Sequence, residues 1–281
     1  MSRWSRKLRK IFQVQEFAEK TDILLTRMTL REVYDSERAN DPKRLLAHGY
    51  KVYSQTDEDG IIHEIFNRIG VTNRTFVEFG VAGGLENNSL NLLIDGWSGL
   101  WIEANDSQAA LITERFAAPI AGGLLKLAHD RVTAENIDGL ISGAGINGEI
   151  DMLSIDIDGN DYHVAKAITC VNPRLVVVEY NAKFRPPTSW VMEYNPEHVW
   201  DETDYFGASL QALEKLFAGK GYSLVGCNIS GANAFFVRND LVGDYFHTPF
   251  TAENHYEPAR YWIVDGFISG HPPRFGLYET P

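Results

Sequence analysis

Between Thr75 and Glu179 short apolar runs alternate with helical stripes, and two of those runs, Thr75-Phe-Val-Glu-Phe-Gly80 and Asp151-Met-Leu-Ser-Ile-Asp-Ile-Asp-Gly159, end in acids and glycine. This rhythm restricts the fold more than any other feature. Strands rich in Val, Ile and Leu that are separated by helices pair in parallel, because parallel neighbours need a crossover and the helices then cover both faces. The runs predict strands at 75–79, 99–103, 123–127, 152–156 and 175–179. Helices are predicted at about 89–95, 107–116, 134–141 and 162–168. Right-handed crossovers follow. A further helix over 209–218 precedes runs at 222–227 and 232–238, and the Asn228-Ile-Ser-Gly231 turn between them reads as a terminal hairpin. The expectation is an α/β chain with a seven-stranded Rossmann-like sheet, six strands parallel and one antiparallel, and helices on both faces.

Around this unit, taken as 47–240, lie a helical N-terminal extension (1–46) and an aromatic, proline-rich tail (241–281). The extension shows breaks near Thr21-Asp22 and Asn40-Asp41-Pro42 and reads as a lid or a homodimer arm. Asp57 to Ile69 carries a helical apolar stripe with Gly70 at the C-cap position. The rhythm stops between Ala182 and Phe206, a loop long enough to serve as a substrate wall. Its Trp190, Trp200 and Tyr205 suit stacking on a sugar or aromatic face, or plugging the core.

Bulk properties remove some classes of function. A net charge of -12 argues against general nucleic-acid binding, which rests on clustered cations. Cys170 and Cys227 have no metal-type spacing and read as two thiols in a reducing compartment. No apolar run is long enough to cross a bilayer, and a cytoplasmic location is expected. Arg3, Arg6, Lys7, Arg9 and Lys10, interleaved with Trp4, Leu8, Ile11 and Phe12, suit either weak contact with an anionic membrane surface or a basic helix end.

The strand ends carry the candidate chemistry. In the first turn Gly80, Ala82 and Gly84 let a ligand approach the backbone. A dinucleotide fingerprint would need glycine where Ala82 and Leu85 stand, which counts against NAD. Glu78 would repel a pyrophosphate but attract a cationic amino-acid ligand such as S-adenosylmethionine. Glu103 follows Gly80 by about twenty residues and suits the ribose hydroxyls of either cofactor. Asp130 ends the third strand, near an adenine or as a helix cap. Asp156 and Asp158 crowd the fourth strand end. Crowded carboxylates need a cation, a proton or a hydrogen-bonding ligand. Asp158, Glu179 and Asn181 make an oxygen set suited to Mg2+, although helix capping also explains Asp158 and Asp161. His163 is a candidate general base or a satisfied helix histidine. The catalytic candidates are therefore Asp158, His163 and Asp156.

Five motifs in order, Tyr53-Ser-Gln-Thr-Asp-Glu-Asp-Gly60, Phe76-Val-Glu-Phe-Gly80, Gly96-Trp-Ser-Gly-Leu-Trp-Ile-Glu103, Leu153-Ser-Ile-Asp-Ile-Asp-Gly159 and Val177-Val-Glu-Tyr-Asn181, resemble the FkbM-like methyltransferases over about residues 50–240. The resemblance implies a Rossmann-like S-adenosylmethionine fold that O-methylates hydroxyls of sugars or secondary metabolites. It also implies that Gln55 and Glu58 lie beside the cofactor, that Glu78 and Gly80 form its first motif, that Glu103 holds the ribose, and that Asp156 and Asp158 face the transfer centre. Val81-Ala82-Gly83-Gly84 departs from the family's usual alanine-asparagine or alanine-aspartate turn, and Asp158 stands where glutamate is common. Two rivals remain from the residues alone: an NAD-dependent oxidoreductase or sugar-nucleotide enzyme, and a non-catalytic binding protein of the same fold.

Overall fold

The computed structural model describes residues 3–264, 266–267 and 270–276, with side chains from residue 13 onward. Seven strands form one sheet: β1 (Thr75–Phe79), β2 (Ser98–Glu103), β3 (Leu125–His129), β4 (Gly148–Ile155), β5 (Val171–Glu179), β6 (Tyr222–Cys227) and β7 (Asn233–Arg238). Their order is β3-β2-β1-β4-β5-β7-β6. The first five pair in parallel, and β7 runs antiparallel to both β5 and β6. This is the expected Rossmann-like methyltransferase sheet, with six strands parallel and the last reversed.

Strand alternation sends successive side chains to opposite faces. Val77 and Phe79 join one core with Ile137, Val164, Leu213 and Phe217. They pack beneath α6 (Ile137–Gly143), α7 (Asp161–Ala167) and α8 (Leu210–Gly219). On the other face Phe76, Trp101 and Met152 pack with Ile61, Ile65, Leu90 and Ile112. That face is covered by α2 (Glu58–Ile69), α3 (Leu90–Ile94) and α4 (Asp106–Arg115), with the short α5 (Ala117–Ala121) after it. Glu78 falls on this second face, which decides its role below.

Local chemistry sets the element ends. Asn105 caps α4 by accepting from the backbone N–H groups of Ser107 at 3.0 Å and Gln108 at 3.1 Å. Ser209 Oγ caps α8 in the same way, accepting from the Ala212 N–H.

Several expected boundaries move. Strand β3 lies two residues later than the pattern suggests. Strands β4 and β5 start four residues earlier, because Gly148 pairs with Val171 and Ile150 with Pro173 ahead of the apolar runs. The first helix, α1 (Arg3–Tyr34), has no break at Thr21-Asp22. The Thr21 hydroxyl bonds back to the Phe17 carbonyl at 2.8 Å, so it satisfies itself without ending the helix. The break at Asn40-Asp41-Pro42 is present, with Asp41 accepting from the Lys43 N–H.

The two ends of the chain meet over the hairpin. Ala39, Leu46, Ile229 and Ile263 form a small core with Leu30, Val33, Tyr34 and Phe267. Arg38 pairs with Glu257, and Arg44 donates to Asn254. Tyr180 and Tyr256 hydroxyls donate to the Glu257 and Ala182 carbonyls, tying the tail to the end of β5. Further along, the Phe275 ring packs at a tilt against Phe116, with centroids 4.6 Å apart. Among the described residues no helix is long and apolar enough to cross a membrane.

Candidate functional site

A cleft of about 650 Å³ opens along the carboxyl ends of β1, β2, β3 and β4. Gly80 and Ala82 form its floor, Glu103 and Asp130 stand on one side, Asp156 and Asp158 on another, and His198 and Trp200 come from the long loop. The volume lies within the usual range of small-molecule sites.

The cleft exists because two backbones come unusually close. Gly80 has φ +79°, and a Cβ placed there would sit 1.5 Å from the Asp156 carbonyl oxygen. Only glycine allows the β1 turn to lie against the end of β4. Two non-glycine residues on the cleft wall, Ala82 at φ +46° and Asp158 at φ +52°, also adopt left-handed backbone. Such positions cost on the order of 1 kcal/mol or more each and cluster at ligand sites.

Glu103 is buried at the end of β2 and accepts the Asn105 N–H at 2.8 Å, which fixes its carboxylate against the cleft. Asp130, exposed on the cleft rim, accepts the Arg131 N–H. Asp156 is half-buried and Asp158 stands exposed at the mouth. Desolvation and the neighbouring Asp158, Asp161, Glu78 and Glu58 carboxylates push Asp156 well above the ordinary carboxylate range. Loss of hydration also raises Asp158, and nearby His198 opposes that rise. Behind them Glu179 is driven up by burial and by Asp156, and its Oε2 is buried without a hydrogen-bond partner.

Several expected contacts stand elsewhere. Glu78, on the α3 face, spends its carboxylate on the loop before that helix: Oε1 accepts the Asn88 N–H at 2.8 Å, and Oε2 accepts the Ser89 N–H at 3.0 Å and the Ser89 hydroxyl. It does not line the cleft. Gly84 serves packing, since a Cβ there would meet the Phe116 and Trp101 rings at 2.6 and 2.8 Å. The Gln55 side chain is exposed and outside the cleft, and its carbonyl accepts Lys51 Nζ.

His163 lies on α7 beneath the long loop. Its Nε2 donates to the Met192 carbonyl at 2.8 Å and its ring packs on Tyr194, so it braces the loop, and it does not line the cleft. Asn181 is equally committed, donating to the Asp204 and Phe206 carbonyls and accepting the Lys183 N–H. The gathered oxygen set is therefore Asp156, Asp161 and Glu179, with ligand atoms within 4.8 Å of one another, and not Asp158, Glu179 and Asn181. Asp161 also accepts the Ile157 and Gly159 N–H groups at 2.8 and 2.9 Å.

His198 is the residue that sequence reasoning missed. Its ring rests on Gly159, where a Cβ would meet the ring at 2.4 Å, and its Nε2 is buried without a partner beside the cleft. The Arg131 guanidinium holds its carbonyl at 3.1 Å, and the Asn160 side chain pins the loop at Asn195. A lone histidine in a loop without periodicity has no signature; only Gly159, with no side chain to exclude the ring, hinted at it. Of the loop aromatics, Trp200 lines the cleft and donates from Nε1 to the Thr203 carbonyl, whereas Trp190 stacks on Phe184 at 4.3 Å.

No protein-family model matches the chain, and no curated protein matches it. Solved structures that resemble it in shape include several methyltransferases and a [4+2]-cyclase. An N-terminal domain of EvdMO1 with S-adenosylhomocysteine bound is 14% identical, with 64% of this chain and 79% of that chain covered at a TM-score of 0.40. A putative caffeoyl-CoA O-methyltransferase from Staphylococcus aureus is 15% identical, covering 63% and 81% at 0.41. An S-adenosylmethionine-dependent methyltransferase from Clostridium acetobutylicum ATCC 824 is 11% identical, covering 74% and 96% at 0.41. The fold assignment stands on the strand order itself.

Proposed function

We propose that the chain is an S-adenosylmethionine-dependent methyltransferase acting on a hydroxyl of a small polyhydroxylated acceptor, a saccharide or secondary metabolite, as the FkbM-like resemblance implies. The observation that carries this reading is the carboxylate-lined cleft at the carboxyl edge, which Asp156 and Asp158 line without a salt bridge to a cation of the chain among the described residues. A ligand bearing a sulfonium and an α-amino group supplies the missing positive charge. A pyrophosphate would add negative charge to the same wall, which disfavours the NAD alternative.

The residues fit the cofactor. Glu103, already held by the Asn105 N–H, retains acceptor capacity for ribose hydroxyls. Asp130, Gly80 and Ala82 line the same cleft, where Asp130 would meet an adenine amino group and the two small residues would give the cofactor close access to backbone. When bound, S-adenosylmethionine supplies a methyl group on a cationic sulfur. The chain's part is to hold an acceptor oxygen in line with it, exclude water and take the hydroxyl proton. Asp158 and His198, which both line the cleft, are the groups available for that proton. Trp200 offers an aromatic face for an acceptor ring.

A divalent cation is a second element of this reading. Asp156, Asp161 and Glu179 would hold Mg2+ through oxygen, lowering the pKa of an acceptor hydroxyl. Unchanged turnover in EDTA removes it.

The test is binding first and transfer second. S-adenosylhomocysteine is expected to raise the unfolding midpoint while NADH does not, and methyl groups from labelled S-adenosylmethionine are expected in an acceptor from a panel of glycosides and polyketide-type phenols. Stabilisation by NADH alone would favour the oxidoreductase. Binding without transfer to any acceptor would favour the non-catalytic rival.

A further inference from the structure

The first helix carries two apolar faces, and the body covers one. Thr26 is buried, and Leu30, Val33 and Tyr34 pack into the small core around Ile263. On the opposite side of α1 stand Val14, Phe17, Leu24, Leu25 and Met28, exposed by 69, 72, 58, 48 and 60%. Over residues 13–20 every side chain is exposed, so this stretch of helix stands clear of the body. A helix with no tertiary packing is marginal in water, and stability comes from covering an apolar face.

The spacing of that face is specific. Val14, Phe17, Thr21, Leu24 and Met28 follow steps of three and four, the a and d positions of successive heptads, and Leu25 widens the seam at e. Thr21 is compatible with the seam because its hydroxyl is already bonded to the Phe17 carbonyl, leaving its methyl outward. In this register Arg27 occupies g and Glu32 the following e; both are exposed, and neither belongs to a salt bridge within the chain among the described residues.

We infer that the exposed face of α1 pairs with the same face of a second copy of this chain as a parallel, in-register two-stranded coiled coil. Charge selects both occupant and direction. Parallel pairing brings Arg27 of each copy to Glu32 of the other, twice by symmetry, whereas antiparallel pairing would set the g-position cations Lys20 and Arg27 against each other. The bodies lie on the far side of each helix and do not obstruct the seam. Two heptads and the next a position, bounded by Lys10 and Arg31 at the neighbouring d positions, put the contact at or below the small end of specific interfaces, no more than about 1,200 Å² in total, so dissociation no tighter than the micromolar range is expected.

Sedimentation equilibrium of the full chain tests this. At about 100 µM we expect twice the 31.6 kDa chain mass. Phe17→Glu with Leu24→Glu should raise the dissociation constant at least about 100-fold and leave the body's unfolding midpoint and near-ultraviolet dichroism unchanged. Arg27→Glu should weaken pairing about fivefold, and Arg27→Glu with Glu32→Arg should restore it. Val14→Cys should oxidise to a covalent dimer with itself. A monomeric wild type, a dimer that survives the double glutamate change, or cross-linking of Val14→Cys only to Met28→Cys would each overturn the proposal. So would a monomer whose Phe17 and Leu24 are needed to bind vesicles of anionic phospholipid.

Discussion

Asp151 and Asp156 sit five residues apart, one inside the amino-terminal half of β4 and the other just past its carboxyl end, and they are treated in opposite ways. Asp151 is fully buried yet fully served. It accepts the Thr72, Asn73 and Arg74 N–H groups at 2.9, 2.9 and 2.6 Å and the Thr72 hydroxyl at 3.2 Å, with Arg174 Nε at 3.4 Å. Asp156, at the carboxyl end, has carboxylates for neighbours and its pKa is driven well up. A buried anion surrounded by donors is part of the scaffold, holding the β1 approach to β4 and β5. One left among its own kind and facing a cleft waits for a positive partner from outside.

The comparison breaks first where the expected effect is largest. Asp151→Ala should destabilise the protein by about 3–5 kcal/mol in urea unfolding, because the Thr72, Asn73 and Arg74 N–H groups lose their acceptor and the buried Arg174 guanidinium loses its ion-pair partner together. A loss under about 1 kcal/mol would mean that the amino-end anion is not structural. At the carboxyl end, Glu103→Ala should leave unfolding within about 1 kcal/mol of wild type but weaken S-adenosylhomocysteine binding by about 10- to 100-fold, since a paired charged acceptor is removed. Asp158→Ala should spare binding and lower turnover; equal binding losses from both changes would merge the two roles.

Titration sharpens the contrast. Asp57, buried beside Glu58 near the hairpin, is raised to about 8 by burial and by that neighbour, against the Ile229 N–H. The folded carboxyl stays protonated while the unfolded one ionises above its ordinary pKa near 3.8. Its contribution therefore becomes steadily more unfavourable as pH rises from about 4 to about 8, by up to about 1.4 kcal/mol per pH unit. Asp57→Asn should remove that slope, so its stability relative to wild type improves across this window in guanidinium titrations at stepped pH. A difference that stays flat would mean that Asp57 is ionised in the fold. The smallest effect is expected for Glu179→Gln. Replacing a buried acid that has an unpartnered oxygen should leave the ligand-free protein as stable as wild type or up to about 1 kcal/mol more stable, and a clear loss would show that Glu179 is held by partners.

Much of this was legible from residue patterns. Strand-helix alternation predicted the sheet, its parallel core and the reversed last strand, because apolar periodicity is a local property that burial on two faces imposes. Glu103 and Asp156 were legible as acids at strand ends, and both line the cleft. Side-chain commitments were not. Glu78, His163 and Asn181 carry the right chemistry at the right edge, but each is consumed by loop backbone: Asn88 and Ser89, Met192, and Asp204 with Phe206. Those partners lie 10 to 29 residues away in sequence and have no periodic signature. The same holds for His198, delivered by a loop whose path depends on Asn160, Arg131 and the bare backbone of Gly159. Thr21 misled for a different reason, since helix propensity alone does not register a hydroxyl that bonds back one turn.

The central claim is that the carboxyl-edge cleft accepts a cationic methyl donor through Glu103. Calorimetric titration of wild type and Glu103→Ala with S-adenosylmethionine tests it most directly. One site per chain is expected in wild type, with at least tenfold weaker binding in the variant and no heat from NADH. Equal affinity in both proteins, or no binding at all, would contradict the account.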